Sequence, residues 1–342
     1  LGQEEAPAGD DRPSAHRLAR SALGARFRML GNPVYPIRSN VRIDGFEFVI
    51  SNWKGCDIIP NMSEIHPSAI IGKQVEIGVH NIIGPNAILE DGVKIGSHNK
   101  ILAGAYLARG TEIGNYNTLH MHAVIGHEPQ DLAYQGQETF AKIGSKNVIR
   151  EFVTIHRGTK EGTATVIGDE NFLMAYCHIA HNCHLGNNII MVNQASLTGH
   201  CVVEDRAFLS GMTGFHQFTR IGTLAMVSAL TAINKDIPPY VVCGGRPGVA
   251  QGINVVGMRR AGIGPQVRAE IKEAYKLLYR SGLNVSQAVD RIKNSLKSPE
   301  VAHMVEFIET SKRGILDGSG VDTISHRKNR SPFEAETAEE LE

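Results

Sequence analysis

The sequence predicts a mainly β chain, a parallel coil of stacked six-residue units closed at its C-terminal end by α-helices. Three observations carry this. From Ile71 to Ile233 a large apolar residue recurs at every sixth position, through Ile77, Ile83, Leu89, Ile95, Ile101 and onward, and only Asp131, Gln137 and Glu161 break the series. The residue after it is often Gly (Gly72, Gly96, Gly144, Gly168, Gly186), and the fourth after it is small or Asn (Ala87, Asn117, Cys177, Cys183, Ala195). From Pro265 the apolar spacing changes to that of a helix. Neither a helix nor a lone amphipathic strand makes a six-residue period. A fixed long repeat means a coil in which each unit buries its apolar residue against neighbouring units. Six residues fit one short strand plus a corner, so three units close a triangular turn of roughly eighteen residues, with the recurring aliphatic inside.

The pattern resembles that of the hexapeptide-repeat acyltransferases. That resemblance implies a left-handed parallel β-helix with a C-terminal α-helical domain. The left hand comes from the resemblance alone, because strand sterics favour right-handed crossovers.

At 342 residues the chain can bury a large core, which the repeat makes elongated. With 35 basic and 35 acidic residues, nothing favours bulk nucleic-acid binding. No stretch approaches the ~20 apolar residues of a membrane helix. Of the five cysteines, Cys177, Cys183 and Cys201 occupy the small inward position. Cys183 and Cys201 lie one turn apart, near the ~4.8 Å strand spacing, where a disulfide is geometrically conceivable. A reduced pair in the cytoplasm is the expectation.

Residues 1–61 lie outside the repeat. They open with Glu4, Glu5, Asp10 and Asp11 before an Arg-containing stretch, an acidic start that argues against a transit peptide. They are expected to be a disordered or non-native extension upstream of a start at Met62. The coil domain is expected over 62–257, with excursions at 127–142 and 158–165 where the register breaks. Pro238 and Pro239 are expected to end its ladder, and Gly244, Gly245, Pro247 and Gly248 to make the bend that follows. A helical domain is expected over 258–316. Its first stripe is Ile271, Ala274, Tyr275 and Leu278, the next helix follows Asn284, and a third starts at Pro299. The polar tail, 317–342, is expected to be disordered.

Several motifs sharpen the resemblance: His178-Ile179-Ala180-His181-Asn182-Cys183, Gly126-His127-Glu128-Pro129-Gln130-Asp131-Leu132, Thr154-Ile155-His156-Arg157-Gly158-Thr159, Leu197-Thr198-Gly199-His200 and Val255-Val256-Gly257-Met258-Arg259-Arg260. With the helix around Tyr275 they resemble the acyl-carrier-protein-dependent UDP-N-acetylglucosamine O-acyltransferases, which open lipid A synthesis. Residues eighteen apart stack, so His181, Gly199 and Gln217 form one column, with His200 above Asn182. Acyl transfer needs a base and a donor aimed at the developing oxyanion. The resemblance implies that His181 deprotonates the sugar 3-hydroxyl and that the Gly199 N–H holds the oxyanion. It further implies that His178 and Asp131 bind the sugar, Gln217 and His200 the acceptor or acyl donor, and Asn254 and Arg260 the nucleotide. His156 and His216 are expected to shape the groove. Ala229 stands where the family sets acyl length. No cofactor is implied.

The chain departs from the family at Asn182, where an acidic residue usually follows the base. It also departs at Ala133, Val256 and Ala261, which leaves a modified UDP-sugar as an alternative acceptor. His178, His181 and His184 invite a second reading, a trimeric zinc enzyme like the β-helical carbonic anhydrases. One repeat separates His178 from His184, placing them on different walls, so no metal site is expected within a subunit. Arg268, Lys272, Lys276 and Arg280 are spaced by four on one helix. Such a ridge is usually a solvated face, but it would also steer the acidic acyl carrier protein. A homotrimer is expected, since the family builds its site between subunits.

Overall fold

The computed structural model describes residues 41–43, 46–48 and 62–319. From residue 64 to residue 233 the chain winds as a three-walled prism of two- to four-residue strands. Each interior strand pairs in parallel with the strands one coil before and one coil after it. Among the described residues the walls are sheets of nine, ten and eleven strands. The recurring aliphatics point inward: Ile83, Leu89, Ile101, Leu107, Ile125, Ile155, Ile179 and Leu197 are buried in one continuous core. No other arrangement of such short strands could hide them, because each unit is too small to cover its own apolar side.

Corners follow from the same repeat. At most of them one residue takes a left-handed conformation although it is not glycine, as at Asn182 (φ 58°), His200 (φ 61°) and Phe218 (φ 66°). That costs about 1 kcal/mol or more per residue. Stacking offsets it, since each corner amide is held by the neighbouring coil: His200 N–H donates to the His181 carbonyl at 3.0 Å, and Phe218 N–H to the Gly199 carbonyl at 3.1 Å. The glycine after the aliphatic is steric. A Cβ on Gly168 would stand 2.6 Å from the Gly186 carbonyl oxygen one coil on.

Asn81, Asn99, Asn117, Asn147 and Asn171 stack inside one corner and are buried. Asn117 Nδ2 donates to Asn99 Oδ1 at 3.0 Å and to the Gly144 carbonyl at 2.9 Å, and its Oδ1 accepts from the Asn147 amide at 2.9 Å. The ladder satisfies buried amides that alanine there would leave unpaired. Cys177, Cys183, Cys201 and Cys243 are free, buried thiols. Burial pushes Cys177 and Cys243 up to about 12.

Two excursions leave the prism. The first, 128–139, is narrower than the expected 127–142, because Val124–His127 and Phe140–Ile143 are strands. The second is 157–163 rather than 158–165, because Ala164–Ile167 pairs along its length with Phe140–Ile143. The polar residues that break the six-residue register mark the loops, but backbone pairing carries the strands further in. The prolines do not end the ladder either. Ile237 bridges to Ile221, and Val241–Gly245 pairs in parallel with Met226–Val227 before turning back into the antiparallel strand Gly248–Ile253. Pro239 occupies a corner, where no ladder N–H is needed.

Four helices follow: α1 (Val255–Arg260), α2 (Pro265–Tyr279), α3 (Val285–Ser295) and α4 (Pro299–Glu309). The boundary expected between residues 257 and 258 falls inside α1, a helix too short to carry a period. Asn284 and Gln287 form the capping box that starts α3. Ile271, Ala274, Leu278, Ala288, Ile292, Val301 and Met304 make a second core that also takes in Leu224 and Tyr240 of the coil. His303 Nε2 lies 2.8 Å from Glu204 Oε2, which ties α4 to the prism.

Two expectations of disorder are corrected in part. Val41–Ile43 and Phe46–Phe48 form an antiparallel pair whose first strand adds in parallel to Glu76–Ile77. Asp317 to Ser319 are held to Ala250 by backbone hydrogen bonds. The remainder of 1–61 and of 317–342 lies outside the described residues. Among the described residues no helix is long and apolar enough to cross a membrane.

Candidate active site

One wall and its corner gather the titratable residues. His178 sits on the strand His178–Ile179, which pairs with Thr154–His156 on one side and Ser196–Leu197 on the other. The corner just beyond holds His181, buried to 4 % exposure. Gly199 stacks on it from the next coil. A Cβ there would lie 2.5 Å from His181 Cε1 and 2.6 Å from Nε2, so only glycine leaves the imidazole its space. The Gly199 N–H donates to no group among the described residues, while its carbonyl is taken by Phe218.

What orients His181 is the asparagine beside it. Asn182 Oδ1 lies 3.0 Å from His181 Nδ1 and also accepts the Thr159 N–H at 3.1 Å. A backbone N–H is only a donor, so the atom facing both groups is the amide oxygen, and His181 Nδ1 must carry the proton. That assigns the tautomer in which Nε2 holds a lone pair. Asn182 is itself fixed by its N–H, which donates to Thr165 Oγ1 at 2.8 Å. The second excursion therefore sets the imidazole, and a neutral amide does the work of the expected acid.

On the other side of the ring, Asp131 Oδ2 is 3.4 Å from His181 Nε2. The first excursion brings it there, with the Ala133 N–H donating to Asp131 Oδ1 at 3.0 Å. A hydroxyl entering between them is within reach of both the His181 Nε2 lone pair and the carboxylate. His156, His178 and His200 are all held below the ordinary histidine range. Burial, then His178, pushes His156 down to about 4. Burial also lowers His178 and His200, with His181 the next cause for each. His178 Nδ1 is 2.7 Å from Thr154 Oγ1, and the rings of His200 and His181 meet edge to face at 5.2 Å. A positive charge on His181 thus faces one carboxylate and no other charged imidazole.

The structure brings together His181, Gly199, Asp131, His178 and His200, and Gln217 follows exposed on the next coil of the same column. It places the others elsewhere. Asn254 caps α1, accepting the Gly257 N–H at 2.8 Å and donating to the Leu224 carbonyl at 2.9 Å, so its side chain already has partners. Arg260 is exposed at the end of α1. Ala229 is exposed at a corner beside Leu230 (φ 59°). Along the ridge, Arg268 bonds the Ile263 carbonyl, Lys276 bonds Glu273 at 3.0 Å, and Arg280 lies 6.0 Å from the Tyr275 ring centroid, while Lys272 is exposed. His178 and His184 stand on different sheets, and among the described residues no three His, Cys, Asp or Glu side chains could hold a metal ion. Sequence reasoning gave no role to Thr159 or Arg157. Both were within a quoted motif, but only the folded excursion shows what they touch.

Residues 236–316 match the family described as UDP-N-acetylglucosamine O-acyltransferase, domain 2, and residues 92–127 match the bacterial transferase hexapeptide repeats. The acyl-[acyl-carrier-protein]–UDP-N-acetylglucosamine O-acyltransferase of a Janthinobacterium is 48% identical over 261 residues, covering 75% of this chain and all of that protein. The chain belongs to this acyltransferase family. The crystal structure of the UDP-N-acetylglucosamine acyltransferase of Bacteroides fragilis matches with a TM-score of 0.68 at 41% identity, over 76% of this chain and 100% of that one. The Francisella novicida acyltransferase gives 0.72 at 34% identity, over 78% and 100%. The prism is thus the left-handed parallel β-helix of hexapeptide repeats, with the C-terminal helical domain of the acyltransferases.

Proposed function

We propose that this chain transfers a 3-hydroxyacyl group from acyl carrier protein to the 3-hydroxyl of UDP-N-acetylglucosamine, the first step of lipid A synthesis, with His181 as general base. The observation that carries this is the relay from Thr159 N–H through Asn182 Oδ1 to His181 Nδ1, which leaves Nε2 free beside Asp131 and beneath Gly199. His181 Nε2 takes the hydroxyl proton as the sugar oxygen attacks the thioester carbon. The Gly199 N–H stabilises the oxyanion. Collapse then expels the carrier's sulfur, which takes the proton back from the imidazolium. Asp131 and His178 hold the sugar, and Asp131 also faces the transient positive charge. Gln217 and His200 extend the site along the corner column, and Arg260 offers a forked donor for the pyrophosphate. Asn254 acts on the nucleotide by fixing the start of α1. Lys272 and its ridge attract the acidic carrier.

The active species is a homotrimer with its site completed between subunits. Support comes from one corner that lines up Phe152, Tyr176, Met212 and Leu230, all more than 40 % exposed in a single chain. The free thiols fit the cytoplasm. The test is His181→Ala. It should abolish acyl transfer while light scattering still gives a trimer, and turnover near that of the parent enzyme would remove His181 as the base.

A further inference from the structure

We propose that Arg157 is a positioning residue, a latch beneath the 128–139 excursion that holds Tyr134 and, through Tyr134, sets Asp131 against His181. The inference rests on the reading of Asp131 as a sugar-binding residue. Arg157 is only 3 % exposed, and a buried guanidinium is tolerable only when its donors are met. Its hydrogen-bond partners all belong to the approach to the excursion or to the excursion itself, while Glu90 of the coil also feels its charge. Nη1 donates to the Gly126 carbonyl at 3.0 Å, Nη2 to the Tyr134 hydroxyl at 2.7 Å, and Nη2 also reaches Glu128 Oε1 at 3.4 Å. The guanidinium lies 5.4 Å from the Tyr134 ring centroid, and the Arg157 backbone N–H donates to the His127 carbonyl at 3.1 Å.

Tyr134 passes this restraint to Asp131. Its backbone N–H donates to the Asp131 carbonyl at 3.0 Å, closing a tight turn in which the Ala133 N–H occupies Asp131 Oδ1. Oδ2 is then the oxygen that faces His181 Nε2. Leu132 is fully exposed and anchors nothing, so besides Arg157 only the buried Pro129 holds this end of the loop. The far end has its own ties, the Glu138 N–H to Glu161 Oε2 and the Gly162 N–H to the Glu138 carbonyl, besides the Tyr134 hydroxyl's bond to the Gln137 carbonyl at 3.2 Å. Arg157 therefore supplies the polar hold on the half of the excursion that carries Asp131, beside the buried Pro129.

The test is steady-state kinetics on the full chain with Tyr134→Phe, Arg157→Lys and Asp131→Ala, and with Tyr134→Phe in the Asp131→Ala background. Tyr134→Phe keeps the ring and loses both the acceptor for Arg157 and the hydroxyl's donation to the Gln137 carbonyl at 3.2 Å, whereas Arg157→Lys keeps the charge and loses only the fork. Each should raise the KM for UDP-N-acetylglucosamine about tenfold, with kcat and the KM for the acyl donor moved less than about twofold. Tyr134→Phe strips a buried donor of its acceptor and should lower the melting temperature a little, but its effect on the acceptor KM should vanish once Asp131 is alanine. Asp131→Ala decides the underlying reading on its own, and a normal acceptor KM there overturns both that reading and the latch. An impaired Asp131→Ala with an undiminished Tyr134→Phe effect in the double variant overturns the latch alone. So does a Tyr134→Phe enzyme with parental kinetics.

Discussion

Replacing Asn182 separates the orientation of His181, the proposed base, from its presence. Asn182→Ala removes the acceptor shared by the His181 Nδ1–H at 3.0 Å and the Thr159 N–H at 3.1 Å, freeing the imidazole to turn and the second excursion to drift. Two such bonds are worth about 1–3 kcal/mol together. If the whole loss falls on the transition state, kcat drops about 5- to 150-fold. Asn182→Asp is the matched control. Its carboxylate can accept from both donors, so kcat should stay within about threefold of the parent. The left-handed corner penalises alanine as well, so circular dichroism melts must accompany the rates. The assay is initial-rate acyl transfer with both substrates saturating, at one pH near neutrality. An Asn182→Ala enzyme that turns over like the parent, with its fold intact, would refute the orientation argument.

Gly199→Ala places a methyl within 2.6 Å of His181 Cε1 and Nε2, so kcat should fall by at least about a hundredfold while UDP-N-acetylglucosamine still binds in calorimetry. His156, held down to about 4 by burial, binds its proton in the unfolded chain before it does so in the folded one. Stability should therefore fall as pH drops from about 6.5 toward 4, by about 2–3 kcal/mol, and His156→Gln should flatten that slope in denaturant melts at successive pH values. At Ala229, each methylene displaced from an apolar slot is worth about 0.8 kcal/mol, or roughly fourfold. In competition between acyl donors, Ala229→Gly should favour longer chains and Ala229→Met shorter ones.

The prism was legible because its period is covalent bookkeeping: six residues return the chain to the same depth, and inward aliphatics from Ile77 to Ile233 register each return. The column of His181 and Gly199 could be counted off the same period. Other features depend on contacts between segments distant in sequence, which no period encodes. Asn254 has the residue type of a nucleotide contact, yet its side chain caps a helix and bonds Leu224, thirty residues away. Pro238 and Pro239 look like a stop, but one of them lies at a corner, and the ladder resumes at Val241. Asn182 departs from the family pattern in sequence and supplies the missing acceptor in space. Only the path of the second excursion, which delivers the Thr159 N–H, reveals that function.

Both excursions rejoin the coil without shifting it. Thr118 pairs with Val148 thirty positions on, and Ile149 with Leu173 twenty-four on, where uninterrupted coils pair eighteen apart. Insertions of twelve and six residues have thus been absorbed with no change of phase above or below them. Both insertions are whole multiples of the six-residue unit, so each returns the chain to the register it left. A change in either excursion would therefore reach the site through Asp131 or the Thr159 N–H, without disturbing the stacking of the coils above and below it.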